Sequence, residues 1–184
     1  MSTLSSPAEA SQEMMVHGSL MLGYARACMN LNIVAGRRAS QMLEGIELSQ
    51  WYPLSRWHAL EGIVVQSYRN APPIMLKVGI EMMSLWYHHG PGKDLVKSGL
   101  DFLHFQTGGG GFQSVVLGPA ATVGEFRLEA FDTKQGCASV YSTTPFNRDM
   151  ERGVLIGGVL AAGDLDYVDV VAAADTNRLL VEFH

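Results

Sequence analysis

The chain has 184 residues, 47% of them hydrophobic and 17% charged, and its formal net charge is −5. This composition is typical of one globular domain that buries its own core, and an acidic balance without clustered Lys and Arg argues against binding to a nucleic-acid backbone. Cys28 and Cys137 lie far apart and form no CxxC pair, which argues against a disulfide framework and a zinc site.

The leading residues and the apolar runs give an expectation for location. Residues 1–12 are small and polar, lack the charged and apolar regions of a signal peptide, and are predicted to form a flexible lead. The apolar runs fall far short of the roughly 20 residues that a membrane-spanning helix needs. We therefore expect a cytoplasmic protein whose single domain covers residues 13–184.

Helical patterns dominate the first two thirds of the chain. Helices are predicted at 14–30, with an extended start, and at 37–44, and a third is predicted to have Pro53 in its first turn. One stripe of that third helix is apolar, comprising Trp57, Leu60, Val64 and Tyr68.

Pro72 and Pro73 open the next predicted helix, and Gly90 ends it. Its apolar face is predicted to comprise Met75, Val78, Met82, Leu85 and His89. A further helix is predicted at 94–106, and its buried residues are expected to be Leu95, Val96, Gly99, Leu100 and Leu103.

After residue 111 the period of the pattern changes to two, which indicates strands. Strands are predicted at 114–117, 123–131, 137–142, 167–173 and 178–183. Phe126, Leu128 and Ala130 are predicted to share one face of the second of these strands. Between the third and fourth strands, Thr144-Pro145 is interpreted as the start of a helix that ends at Gly163. The fold class predicted is α+β, with N-terminal helices packed on a C-terminal antiparallel sheet of about four strands and one inserted helix.

No motif in the chain indicates catalysis. The four glycines at 108–111 are not followed by Lys-Ser/Thr and precede a strand, so they are interpreted as a flexible connection and not as a phosphate loop. Asp164, Asp166 and Asp169 lack the oxygen-rich spacing of a calcium site. We therefore expect no enzyme activity and no metal site.

Several short segments resemble, in their order, a superfamily of ligand-binding domains in nitric-oxide signalling and Golgi transport. This superfamily includes haem nitric-oxide/oxygen-binding domains, four-vinyl-reductase-type sensory domains and subunits of Golgi transport particles. The closest resemblance is to an uncharacterised bacterial branch expanded in myxobacteria. The segments that carry it are Trp51-Tyr52-Pro53, Val78-Gly79, Thr143-Thr144-Pro145-Phe146 with Arg152-Gly153, and the spaced set Pro145, Asp149 and Gly153.

The resemblance implies a hydrophobic cavity between helices and sheet, which members of these families use for haem, aromatic effectors or acyl chains. Haem-binding members hold the haem propionates with a Tyr-x-Ser-x-Arg motif. Here the nearest segment is Tyr141-Ser142-Thr143-Thr144, which has no matching Arg, and His104 falls on a polar helix face. The resemblance therefore makes haem a candidate cofactor, but these residues argue against it. No cofactor is predicted.

The leading hypothesis is a non-catalytic sensory or regulatory signalling domain that binds a small apolar or aromatic ligand, as a homodimer or with a protein partner. The alternatives are that the same side chains only fill the core, or that the protein is an interaction or assembly subunit without a ligand, as its Met-rich first helix suggests. The predicted ligand-binding residues are Trp57, Tyr68, Met82, Trp86, His89 and Phe102.

Overall fold

A computed structural model describes residues 13–174 and 176–184, and the predicted lead at residues 1–12 lies outside this part of the chain. The described helices are α1 (Gly18–Asn30), α2 (Arg37–Leu43), α3 (Leu54–Val65), α4 (Pro72–His89), α5 (Gly92–Leu95), α6 (Gly99–Thr107), α7 (Ala120–Val123) and α8 (Arg148–Leu160). The strands are β1 (Met15–His17), β2 (Trp51–Pro53), β3 (Val116–Leu117), β4 (Phe126–Asp132), β5 (Cys137–Ser142), β6 (Val168–Ala172) and β7 (Arg178–Phe183). None of the helices described is both long and apolar enough to cross a bilayer.

The strands form two antiparallel sheets. The larger sheet has the order β4-β5-β7-β6, and α8 connects β5 to β6. This confirms the α+β class, the four-stranded C-terminal sheet and its inserted helix. A smaller sheet has the order β2-β1-β3. The strand predicted at 114–117 contains β3 and the extended start of the first predicted helix overlaps β1, but β2 and the pairing of the three strands were not predicted, because segments of two or three residues do not show which strands pair.

Two predicted helix boundaries are wrong because side chains cap the helices elsewhere. The helix predicted at 94–106 is interrupted, since Val96 is extended and the Ser98 hydroxyl accepts a hydrogen bond from the Asp101 N–H at 3.0 Å, which starts α6. Leu95, expected to be buried, is 54% exposed. The inserted helix begins at Arg148 and not at Thr144-Pro145, because the side chain of Asn147 caps it.

The alternation predicted along β4 fails in its second half. A bulge shifts the register between Leu128 and Ala130, so that Ala130 is exposed instead of sharing the inner face with Phe126. An extra residue in one strand reverses the side on which the following side chains lie, and the sequence pattern alone did not reveal it.

Helix α8 lies on the inner face of the large sheet. The Arg152 Nε donates a hydrogen bond to the Val170 carbonyl oxygen in β6 at 2.7 Å, and the Arg148 guanidinium donates to the carbonyl oxygens of Ser142 and Arg178, each at 3.0 Å. These bonds fix the helix against three of the four strands, so the rest of the helical layer is positioned through α8.

The opposite side of α8 has no side chains at three positions, and there α4 and α6 pack directly on its backbone. A Cβ placed on Gly153 would lie 2.1 Å from the Leu76 carbonyl oxygen, and one on Gly79 would lie 2.2 Å from the Met150 carbonyl oxygen. A Cβ on Gly158 would lie 2.0 Å from the ring of Phe102 in α6. Only glycine permits such close approach, so these residues set the position of both helices.

We expect Gly79→Ala to destabilise the fold by about 1–3 kcal/mol, because the added methyl group must push apart two backbones that touch. The matched control is Gly62→Ala in α3, where a Cβ would make only an ordinary contact of 3.6 Å with Gln66. There the higher helix propensity of Ala should stabilise the protein by about 0.5–1 kcal/mol. Chemical denaturation measures both changes, and equal effects of the two substitutions would contradict the close-contact account.

Candidate ligand-binding site

Two neighbouring cavities lie between α1, α4 and the segment that runs from α5 to β3. The outer compartment has a volume of about 550 Å³ and is lined by Ser19, Leu22, Gly23, Arg26, Met29, Asn30, Leu48, Met82, Leu85, Trp86, His89, Gly90 and Pro91. The inner compartment has a volume of about 330 Å³ and is lined by Ser19, Leu20, Gly23, Met82, Met83, Trp86, Pro91, Leu95, Phe102, Phe105, Gln106, Gly110, Gly111, Ser114, Val115 and Val154. Ser19, Gly23, Met82, Trp86 and Pro91 line both, so these residues form the junction between the compartments.

Helical spacing explains how two helices supply most of the outer wall. On α4, Met82, Trp86 and His89 follow one another at intervals of four and three residues, which places them on one face. The beginning of the same face is core, since Met75 and Val78 are fully buried. The face therefore changes from core to cavity wall along a single helix.

The indole of Trp86 is held by aromatic neighbours at the junction. It stacks on the ring of Phe105 with centroids 5.4 Å apart and meets the ring of Phe102 edge-on at 5.9 Å. Such aromatic pairs are worth about 0.5–1.5 kcal/mol each beyond the area they bury. Trp86 is thus a partly exposed side chain that α6 holds in place beside open space.

Gly23 differs from the glycines that touch α8. It lies in the middle of α1, yet a Cβ built on it would meet no heavy atom within 4 Å outside its own chain neighbours and local helix backbone. Glycine inside a helix costs about 1 kcal/mol relative to alanine. Close packing explains Gly79, but it does not explain Gly23, whose missing side chain leaves the junction of the compartments open.

Four of the six predicted ligand-binding residues lie at these cavities. Met82 and Trp86 line both compartments, His89 lines the outer one, and Phe102 lines the inner one. His89 is exposed, contrary to its expected place on the apolar side of the helix, because it lies in the last turn of α4. Their contact with a ligand remains a prediction.

The other two predicted residues lie elsewhere. Trp57 is fully buried between the rings of Tyr24 and Phe146, with centroids 5.1 and 5.0 Å away. The Tyr68 hydroxyl donates a hydrogen bond to the Ile33 carbonyl oxygen at 3.0 Å. Neither lines a compartment, so for these two residues the alternative of core filling is the better interpretation.

The structure adds wall residues that the sequence did not single out. They include residues of α1 and of the glycine run, of which Gly110 and Gly111 line the inner compartment. The cavity was expected between helices and sheet, but no residue of the large sheet lines either compartment. The one available signal was a glycine at an interior helix position, Gly23, without a turn to require it.

The residues present do not fit haem. His104 lies on the exposed face of α6 with its ring against that of Phe131, at 4.8 Å, and it lines neither compartment. Tyr141 lies under the guanidinium of Arg127 at 4.6 Å instead of facing a cavity. The inner compartment has no histidine, cysteine or tyrosine to ligate iron, and in the outer compartment that set is represented by His89 alone, which is exposed in the last turn of α4.

A buried polar cluster joins α8 and β5. The Ser142 hydroxyl donates to the carboxylate of Glu151 at 2.9 Å, and the Thr144 hydroxyl donates to it as well. Glu61 of α3 lies nearby and accepts a hydrogen bond from the Asn147 N–H at 3.3 Å. None of these residues lines either compartment, so the cluster has no access to a substrate there and is best explained as a structural junction.

Burial raises the pKa of the Glu151 carboxyl to about 7, even though the hydroxyls of Thr144 and Ser142 and the positive charge of Arg148 favour its charged form. Burial also raises the pKa of Glu61. Because the folded state holds the Glu151 proton more tightly than the unfolded state, its contribution to stability is complete below about pH 4.5 and is lost as the pH rises through about 7.

We expect Glu151→Gln to make the protein more stable than the wild type at pH 8, because the neutral amide removes a buried charge. The difference should shrink as the pH falls toward 5, and its full size is roughly 3 kcal/mol. Urea denaturation at several pH values measures it, with the exposed Glu182→Gln as control. A wild-type stability that rises steadily between pH 5 and 8 would contradict the assignment.

Comparisons with known proteins give a fold and no family. No family model matches the sequence, and no curated protein matches it. Among solved structures, a variant of Tt H-NOX superimposes with a TM-score of 0.65 at 13% identity, covering 91% of this chain and 94% of that chain. An oxygen-binding H-NOX domain related to soluble guanylate cyclases superimposes with a TM-score of 0.65 at 12% identity, covering 90% of this chain and 94% of that chain. A Cs H-NOX mutant superimposes with a TM-score of 0.63 at 12% identity, covering 91% of this chain and 96% of that chain. The chain therefore has the fold of H-NOX domains.

Proposed function

We propose that this protein is a non-catalytic sensory or regulatory domain that binds a small apolar or aromatic molecule at the junction of the two compartments. The observation that carries the proposal is the open space at Gly23, where a side chain would fit without a clash. Because glycine has no side chain, the junction that Gly23 shares with both compartments is left unfilled.

The chemistry of the inner compartment supports the apolar ligand. Its walls are mainly apolar and aromatic, with Met83, Phe102, Phe105 and Val154 among them. Its volume of about 330 Å³ lies at the lower end of the range for small-molecule sites, which is about 300–1,000 Å³. A molecule of two or three aromatic rings suits such a space.

The likeness to H-NOX domains supports a sensory role, because the solved neighbours include an oxygen-binding domain related to soluble guanylate cyclases. Fold alone does not carry function, and the haem ligands do not fit here, so we propose a different ligand class on the same scaffold. We further propose that the protein belongs to the bacterial branch that its sequence resembles. We also propose that it is located in the cytoplasm and forms a homodimer.

A second candidate function is protein–protein interaction without a ligand. Val171 of β6 and Leu180 of β7 are directly paired, and both are about half exposed on the outer face of the large sheet. Contiguous exposed apolar surface marks interaction sites, and this pair is the candidate contact surface. Under this alternative, sedimentation would show an assembly that Leu180→Glu disrupts, and the protein would bind no small apolar probe.

We expect Gly23→Leu to weaken the binding of the neutral fluorescent probe N-phenyl-1-naphthylamine by about tenfold or more, because the added side chain occupies the junction. Any ligand mass that native mass spectrometry finds on the purified wild type should be lost from this variant. The fold should not be weakened, since leucine is a better helix former than glycine.

The matched control is Gly62→Ala, which also replaces a helical glycine but lies outside both compartments. It should bind the probe like the wild type. Equal probe binding by Gly23→Leu and the wild type would refute the site, and a retained haem mass would refute the assignment of the ligand class.

A further inference from the structure

We propose that the ligand is an amphipathic carboxylate, whose apolar body occupies the junction and inner compartment and whose anionic group is bound by Arg26. This inference rests on the proposed function and adds to it the chemical class of the ligand. It concerns a charge at the outer compartment, where the walls are otherwise mostly apolar or neutral.

The position of Arg26 is suited to a ligand that passes Gly23. The two residues are three positions apart on α1, about 4.5 Å along the helix axis, and lie on the same face. Gly23 lines both compartments, whereas Arg26 lines only the outer one. A molecule with its body beside Gly23 and Trp86 therefore places its end group within reach of the guanidinium.

The charge of Arg26 is not used by the protein. Among the described residues, Arg26 makes no ion pair and no side-chain hydrogen bond. Six other arginines do, with carboxylates, carbonyl oxygens or a hydroxyl, namely Arg38, Arg56, Arg127, Arg148, Arg152 and Arg178. The guanidinium of Arg26 is therefore available to an anion.

No carboxylate lines either compartment in the part of the chain that the structure describes. Glu81 is the acid beside the outer wall, and its carboxylate accepts a hydrogen bond from the Asn30 amide at 2.5 Å. Ser19 and His89 are the remaining polar side chains of the outer wall. Asn30 is thus engaged with Glu81, and the Ser19 hydroxyl bonds the His17 ring at 2.7 Å, so the exposed Arg26 is the group that would supply a positive charge and charge-assisted hydrogen bonds to an anion.

Two kinds of molecule share this chemistry, medium-chain fatty acids and aromatic carboxylic acids. The shared feature is a carboxylate on an apolar body, and the guanidinium recognises it in either case because its planar fork matches carboxylate geometry. The inner compartment has aromatic walls at Trp86, Phe102 and Phe105, which accept a flat ring or a folded chain.

The test uses Arg26→Gln and displacement of N-phenyl-1-naphthylamine. Decanoate is compared with decanol, and biphenyl-4-carboxylate with 4-phenylbenzyl alcohol, so that each pair differs in the charge of its end group. On the wild type, at least one carboxylate should displace the probe more effectively than its alcohol. On Arg26→Gln that carboxylate should lose about tenfold in affinity, while the alcohol and the probe bind as before. Arg69→Gln, an exposed arginine outside both compartments, is the control.

The outcomes separate the two proposals. If the probe binds and Gly23→Leu blocks it, but both carboxylates bind Arg26→Gln and the wild type equally, the carboxylate assignment is wrong and the proposed function stands. If the wild type binds none of these molecules, both proposals fail. The carboxylate that binds the wild type more tightly than its alcohol and loses affinity for Arg26→Gln identifies the acyl or the aryl class.

Discussion

The fold depends on the glycine face of α8. One side of that helix carries the arginines that bind the strands of the large sheet, and the other side has Gly153, Gly157 and Gly158 where side chains would separate it from α4 and α6. The backbone of α4 touches α8 directly, and α6 does so at Gly99, where a Cβ would lie 2.2 Å from the Val159 carbonyl oxygen, so steric contact sets the positions of both helices. The places of Trp86 and Phe102, and hence the shape of the inner compartment, follow from this contact.

The candidate ligand-binding site lies where α4 and α6, held in place by α8, face α1. The face of α4 that packs in the core at Met75 becomes a cavity wall at Met82 and Trp86, while α1 opposes it with Gly23 and not with a large side chain. Two glycines in helices thus have opposite physical roles: Gly79 removes a clash and Gly23 preserves a space. Arg26 adds a charge at the edge of that space. The scaffold is that of H-NOX domains, yet the groups that would hold haem point elsewhere, as His104 and Tyr141 show.

The sequence predicted those helices and strands whose periodic hydrophobic pattern extends over enough residues to be recognised. The α4 helix follows from its two prolines and regular apolar face, and β5 matches its predicted bounds because period-two alternation persists through six residues. The small sheet, the bulge in β4 and the break before α6 depend on pairing and capping that short patterns do not reveal. Periodicity predicted part of the α4 wall, but it could not separate Trp57 in the core from Trp86 at a cavity, because both lie on apolar stripes. The opposing wall, with Gly23, depends on which helix lies across the groove, and that is a tertiary property.

The most direct test of the central claim is a crystal structure of the protein bound to N-phenyl-1-naphthylamine. The account predicts density for the probe at the junction, with its rings against Trp86 and beside Gly23, and unchanged contact between α4 and α8. A structure in which Trp86 fills the junction and the probe lies elsewhere on the surface would contradict it.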